Sequence, residues 1–286
     1  MYISGTIHDR IMYFHVMNLA DISIINACNF SCSYCKSESM HVRQNNSNGV
    51  WDVMGPVTDF APLINFIKTH IPDYRLQITG GEPLLVPGVE YLLNDLANIG
   101  NVILNTNGSL LPRKYPLLSS DIFYRISIHP DQRTLDKFRE HVDYIPKGRF
   151  IVNYVLHPEH IRNGKAIEYI EFLDECGYNY EVTPFEGKYE GKDYKLFSEL
   201  YRNVQSPVPK SDEDIQIVII KPNGKVFACG EAANSVVIGD IYSNEFNVSA
   251  IKSKRCTFVD GTSLCSRFSN VHRIRDIENG TYSQIG

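Results

Sequence analysis

Ile22-Ser23-Ile24-Ile25-Asn26-Ala27-Cys28-Asn29-Phe30-Ser31-Cys32-Ser33-Tyr34-Cys35 joins a short apolar run to three thiols with gaps of three and two residues. The β-branched run reads as a buried strand over Ile22 to Asn26, and the cysteines then lie on the loop that leaves it. Thiols this close on one loop can converge on one centre. Three thiolates give an iron–sulfur cluster three anchors instead of the usual four, leaving one iron without a protein ligand and free to bind a small molecule. Structural zinc is the competing reading, but zinc wants four ligands, usually as two separated close pairs, and three closely spaced cysteines suit a cluster better. Ordinary buried thiols are a third. A disulfide suits neither the length of the chain nor the absence of a signal-like N-terminus.

The surroundings fit a chain with one large core. Of 286 residues 43% are hydrophobic, and Lys plus Arg number 28 against 33 Asp plus Glu. The resulting net charge of −5 gives no reason to expect nucleic acid as a partner. No apolar stretch approaches the roughly 20 residues of a membrane span, and Met1 to Ala20 is broken by His8, Asp9, Arg10 and His15. The expected location is the cytoplasm. Seven cysteines in a reducing compartment point to metal or redox use.

From Asp21 onward, β-branched runs alternate with amphipathic stretches, the pattern of βαβ units and a parallel sheet. Further strands are expected at Leu76 to Thr79, Val102 to Asn105, Tyr124 to Ile128, Phe150 to Leu156 and Tyr180 to Pro184. Helical faces are expected from Leu63, Phe66, Ile67 and His70; from Val89, Leu92, Leu93 and Leu96; from Leu135, Phe138 and Val142, with Asp131 as the cap; and from Ile167, Ile170, Phe172 and Leu173, stopped at Gly177. Six units fall short of the eight of a closed barrel. The expected fold class is α/β, a partial (β/α)6 TIM-like barrel. Residues 1–20 read as a lead-in and 21–205 as the barrel. Residues 206–286, beyond the Ser206-Pro207-Val208-Pro209-Lys210 junction, read as a small extension with a hairpin at Pro222-Asn223-Gly224, where Asn-Gly suits a two-residue turn.

Other strand ends carry polar motifs. Thr79-Gly80-Gly81-Glu82-Pro83 follows the second strand; paired glycines let backbone approach a ligand, and the carboxylate can accept from an amine. Asn105-Thr106-Asn107-Gly108 ends the third strand and Ser127-Ile128-His129 the fourth. His129, His157 and Glu186, each just past a strand, are weak candidates for contact with a substrate, because a histidine there is more often structural than catalytic.

The CxxxCxxC spacing of Cys28, Cys32 and Cys35, with aromatic Tyr34 before the third cysteine, resembles the signature of the radical S-adenosylmethionine superfamily. The Gly-Gly-Glu-Pro element about fifty residues later strengthens the resemblance. It implies a 4Fe–4S cluster on the three cysteines, with the methionyl group of S-adenosylmethionine chelating the open iron. It also implies one-electron cleavage to a 5′-deoxyadenosyl radical, fed by a reductase such as flavodoxin or ferredoxin, and cofactor contacts from Tyr34, Gly80, Gly81, Glu82, Asn107 and Ser127. Related chains often have aspartate where this one has His129. The hairpin, followed by Cys229, Cys256 and Cys265, looks like a twitch or SPASM extension with a second, auxiliary iron–sulfur cluster, although a full SPASM set has about seven cysteines. The resemblance implies an oxidoreductase-like radical enzyme. Modification of a peptide (oxidation, cross-link or epimerisation) is the first expectation, and a small-molecule substrate such as a sugar, amino acid or nucleotide derivative is the second. A non-catalytic metal-binding protein is the third.

Overall fold

The computed structural model describes residues 18–32, 35, 40–41, 59–185, 188–190, 192–193, 217–228 and 237–250. Tyr34, Glu186, Cys229, Cys256, Cys265 and the junction at 206–210 lie outside the described residues, as do residues 1–17 of the lead-in.

Ten strands form one sheet: β1 (Leu19–Ser23), β2 (Arg75–Thr79), β3 (Val102–Thr106), β4 (Phe123–Ile128), β5 (Phe150–Leu156), β6 (Tyr180–Pro184), β7 (Ile217–Ile220), β8 (Lys225–Ala228), β9 (Val237–Asp240) and β10 (Glu245–Phe246). Their order is β10-β9-β8-β7-β1-β2-β3-β4-β5-β6. Neighbours from β1 through β6 pair in parallel, and β7 pairs in parallel with the free side of β1, so the strands after residue 216 continue the same sheet. The sheet is open: β6 and β10 are its edges. This is the expected partial TIM-like α/β architecture. Because β1 to β6 all run the same way, their C-terminal ends share one rim, the end at which such folds place chemistry.

Among the described residues, four helices of eight or more residues cover one face: α1 (Ala61–His70), α2 (Val89–Ala97), α3 (Leu135–Val142) and α4 (Lys165–Glu175). Alternation along the strands decides which residues meet them. Ile22, Ile78, Leu104, Ile126 and Val152 are buried with Leu63, Phe66, Leu93, Leu96, Phe138 and Leu173 in a single core cluster. Burying side chains of this size contributes about 1.5–3 kcal/mol each. The alternate strand positions point to the other face. Leu19, Ile217 and Ile219 form one small apolar group there, and Ile103, Phe123 and Ile151 another. The same face carries polar side chains: Asn153 accepts from Arg125 Nη2 at 3.0 Å and from Thr183 Oγ1 at 2.7 Å, and Arg125 pairs with buried Glu181.

Four local expectations change. The first strand occupies Leu19–Ser23 rather than Ile22 to Asn26. Beyond Ser23 the backbone leaves the regular ladder and is claimed by the end of β2 and the turn after it, with Ile24 N–H donating to Thr79 O at 3.1 Å and Ile25 O accepting from Gly81 N–H at 2.7 Å. The cap of α3 is Thr134, whose Oγ1 accepts from Lys137 N–H at 3.3 Å; Asp131 instead faces His160 Nε2 at 3.2 Å. Ile167 is 65% exposed, because α4 buries Ala166, Tyr169, Phe172 and Leu173. The hairpin between β7 and β8 has a three-residue loop: Lys221 N–H donates to Lys225 O and Gly224 N–H to Lys221 O, with Gly224 at φ +78° in the left-handed region. A type I turn closed by a left-handed glycine is the geometry of three-residue hairpins, so Asn-Gly serves a different turn from the one expected.

Thr134→Ala should lower stability by about 1 kcal/mol through loss of the cap. Thermal unfolding would register this as a midpoint drop of roughly 2–4 °C; an unchanged midpoint would contradict the capping role.

Candidate active site

The rim brings together segments far apart in sequence. Glycine pairing sets the closest approach. A Cβ at Gly81 would lie 2.0 Å from Ala27 O and one at Gly80 would lie 2.3 Å from Ile25 O, and Gly80 also has φ +142°. Only glycine lets the turn after β2 lie against the backbone that leads into the cysteines. Glu82 N–H then donates to Ala27 O at 2.8 Å. The approach permitted by the two glycines is thus to the chain's own cysteine loop.

Glu82 is fully buried, at 0% exposure. Its Oε1 accepts from Thr106 Oγ1 at 2.8 Å and from Leu84 N–H at 3.0 Å, and its Oε2 accepts from Asn107 N–H at 2.7 Å. Burial raises its pKa above the usual carboxylate range, while these three donors and the charge of Arg133 pull it back. Every partner donates, so the carboxylate form fits the site. Glu82 ties the end of β2 to the end of β3.

Asn107 carries that tie to the cysteines. Its side-chain Nδ2 donates to Asn29 Oδ1 at 2.8 Å and lies 3.8 Å from Cys28 Sγ. Cys28 Sγ also accepts from Phe30 N–H at 3.4 Å. Burial pushes the Cys28 thiol above its ordinary value, against the pull of those two donors. Arg133, following β4, donates through Nη2 to the carbonyls of Asn107 and Ser127 and lies over the rings of Phe138, at 4.6 Å, and Phe30, at 5.8 Å. Its charge faces Glu82, and burial lowers its pKa to about 10, so it stays a cation.

Cys32 is buried with Phe185 just past β6, and Phe30 and Val155 pack on them, which lays the cysteine loop across the rim from β1 to β6. His129 Nδ1 is 3.1 Å from Cys32 Sγ. Desolvation, with Arg133 nearby, lowers the His129 pKa to about 3, so its imidazole is neutral. Cys35 is exposed, and its N–H donates to Cys32 O at 3.2 Å.

Other expected residues sit differently. His157 caps the short helix Pro158–Arg162, its Nδ1 accepting from Glu159 N–H at 3.3 Å, with its ring edge-on to Phe185. Ser127 is half-buried near the end of β4. Cys176 caps α4 and packs partly buried against the core. Sequence reasoning overlooked Asn29, Phe30, Gln132 and Arg133. None has a periodic or motif signal of its own; each matters because of what the fold brings beside it.

Among the described residues, no three His, Cys, Asp or Glu side chains close around one point as a metal site. The donor set of the loop is nonetheless suited to an iron–sulfur cluster. It offers three thiols, and N–H donors aim at Cys28 sulfur in the way that stabilises metal-bound thiolates. A bound metal would deprotonate Cys28 outright and remove the opposition from burial.

Residues 22–144 match the family model described as the Radical SAM superfamily. A GTP 3',8-cyclase of Campylobacter fetus subsp. fetus is 30% identical over 134 residues, 45% of this chain and 38% of that protein. One from Rippkaea orientalis is 34% identical over 125 residues, 41% of this chain and 36% of that protein. Another, from Xanthomonas campestris pv. campestris, is 27% identical over 190 residues, 54% of this chain and 53% of that protein. The chain thus spans about four tenths to half the length of these curated relatives. With the thiol triplet, the Gly80-Gly81-Glu82 turn and the parallel sheet joined at one rim, residues 22–144 are a Radical SAM superfamily domain.

Proposed function

We propose that Cys28, Cys32 and Cys35 hold a 4Fe–4S cluster and that the protein is an enzyme that uses S-adenosylmethionine to start radical chemistry on a small polar substrate, with a nucleotide as the first class to try. Bound together, cluster and cofactor supply a carbon radical able to take a hydrogen atom from an unactivated C–H bond. The observation that carries the reading is the linked rim: Glu82 holds Asn107, and Asn107 holds Asn29 and touches Cys28. A site for structural metal has no need of this second buttress.

In this reading Gly80 and Gly81 present backbone beside the cysteine loop to the cofactor's amino group. Glu82 acts through position, since its carboxylate is already occupied by Thr106, Asn107 and Leu84. Ser127 and Tyr34 are further cofactor contacts, and the loop laid over Phe185 and Val155 keeps water from the reacting atoms. The substrate choice follows the relatives, whose names specify GTP, and so places a small molecule ahead of a peptide. An auxiliary cluster on Cys229, Cys256 and Cys265 and a flavodoxin or ferredoxin donor complete the proposal.

Anaerobically reconstituted protein, incubated with reductant, S-adenosylmethionine and either GTP, ATP or no nucleotide, should form 5′-deoxyadenosine fastest with a nucleotide present. Formation that no nucleotide accelerates, while a short peptide does, would return the peptide reading to first place.

A further inference from the structure

We infer that His129 is a tuning residue for the cluster, donating a hydrogen bond from Nδ1–H to the sulfur of Cys32. The inference rests on the cluster assigned under the proposed function and gives a role to a residue that the sequence offered only as a substrate contact.

The geometry is specific. Nδ1 and Sγ are 3.1 Å apart, well within contact for an N–H···S bond. A sulfur bound to iron carries no proton, so the imidazole must be the donor and its proton must sit on Nδ1. The ring is fixed in place rather than swinging free. Phe30 meets it edge-on with centroids 5.5 Å apart. The His129 carbonyl accepts from Gln132 N–H at 2.9 Å and Arg133 N–H at 3.2 Å. Gln132 in turn accepts from Ser31 N–H at 3.1 Å, next to Cys32, and its Nε2 lies 3.4 Å from Ser31 O. Residues 129 to 132 and 31 to 32 are therefore clamped as one unit, and the His129–Cys32 contact lies inside it.

A donor on a ligating sulfur withdraws negative charge, and it does so more strongly once the cluster has gained an electron. The reduced form is favoured and the potential rises. An aspartate at this position, once ionised, has no proton to donate and would place negative charge beside the sulfur instead.

The test is a redox titration of the reconstituted protein followed by electron paramagnetic resonance, comparing wild type, His129→Leu and His129→Gln. His129→Leu should hold a full complement of iron yet show about a tenfold smaller reduced-to-oxidised ratio at a fixed potential, a shift of ~59 mV for one electron. His129→Gln, which keeps an N–H donor, should recover part of that loss. Wild type grown with 15N-histidine should show an imidazole nitrogen coupled to the reduced cluster, a readout that needs no variant to fold. Equal potentials in iron-replete wild type and His129→Leu, or no imidazole coupling in wild type, would overturn the inference. Absence of iron from wild type would instead bring down the cluster assignment itself, and with it this role for His129.

Discussion

Changing Cys28, Cys32 and Cys35 together to alanine should eliminate the iron–sulfur absorbance attributable to this loop and reduce 5′-deoxyadenosine formation to background. The three residues supply every protein ligand of the proposed catalytic cluster, and with fewer ligands the affinity falls away rather than grading down. The fold should survive. Cys35 is exposed and Cys28 only half-buried, and of the three only Cys32 belongs to a buried cluster, the small one with Phe185. Circular dichroism near that of wild type, alongside lost cofactor cleavage, is the expected pair of results. The contrasting variant replaces Cys229, Cys256 and Cys265. It should keep measurable cofactor cleavage, because the proposal assigns those thiols to a separate auxiliary site. Undiminished cleavage in the first triple variant would refute the assignment.

Glu82→Ala should damage both stability and the cysteine loop. Removing the carboxylate leaves the N–H groups of Asn107 and Leu84 and the Thr106 hydroxyl without their acceptor in a fully buried place. Each buried donor left this way costs about 1–3 kcal/mol. Arg133 also loses the opposing charge it faces. The melting midpoint should fall by several degrees or more, and reconstituted iron content should fall with it, because Asn107 would no longer be pinned against Asn29 and Cys28. Glu82→Gln should be milder, since the amide keeps one acceptor while turning an NH2 toward a former partner. If instead Glu82→Ala kept its melting point and iron and lost only affinity for S-adenosylmethionine, the carboxylate would be a direct cofactor contact rather than a brace.

Much of the sheet was legible from sequence because its strands are short β-branched runs bounded by turn residues. Phe150–Leu156 and Tyr180–Pro184 occupy their expected spans, and α2 buries the four residues that its periodicity selected. The first strand was misplaced for a physical reason. Ile24 and Ile25 are as apolar as strand residues, but their backbone groups are taken by Thr79 and Gly81, and Gly80 and Gly81 lie on a different stretch of chain. Asp21, where the core was expected to begin, sits inside β1 with little exposure.

The candidate site shows the same division. Cysteine spacing and the Gly-Gly-Glu-Pro element are local patterns and could be read directly. The buttress could not, because its bonds join residues far apart: 78 positions separate Asn29 from Asn107, and 101 separate Ser31 from Gln132. His129 illustrates the limit most clearly. Its place after a strand suggested contact with a substrate, and only the folded chain brings its Nδ1 to Cys32 sulfur.

The most direct test of the central claim is electron paramagnetic resonance of the dithionite-reduced, anaerobically reconstituted protein before and after addition of S-adenosylmethionine. The signal should be that of a 4Fe–4S cluster, disappear with the Cys28, Cys32 and Cys35 substitutions, and change its g-values when the cofactor is added. Zinc in place of iron, or a cluster signal from these cysteines that the cofactor leaves unaltered, would contradict the account.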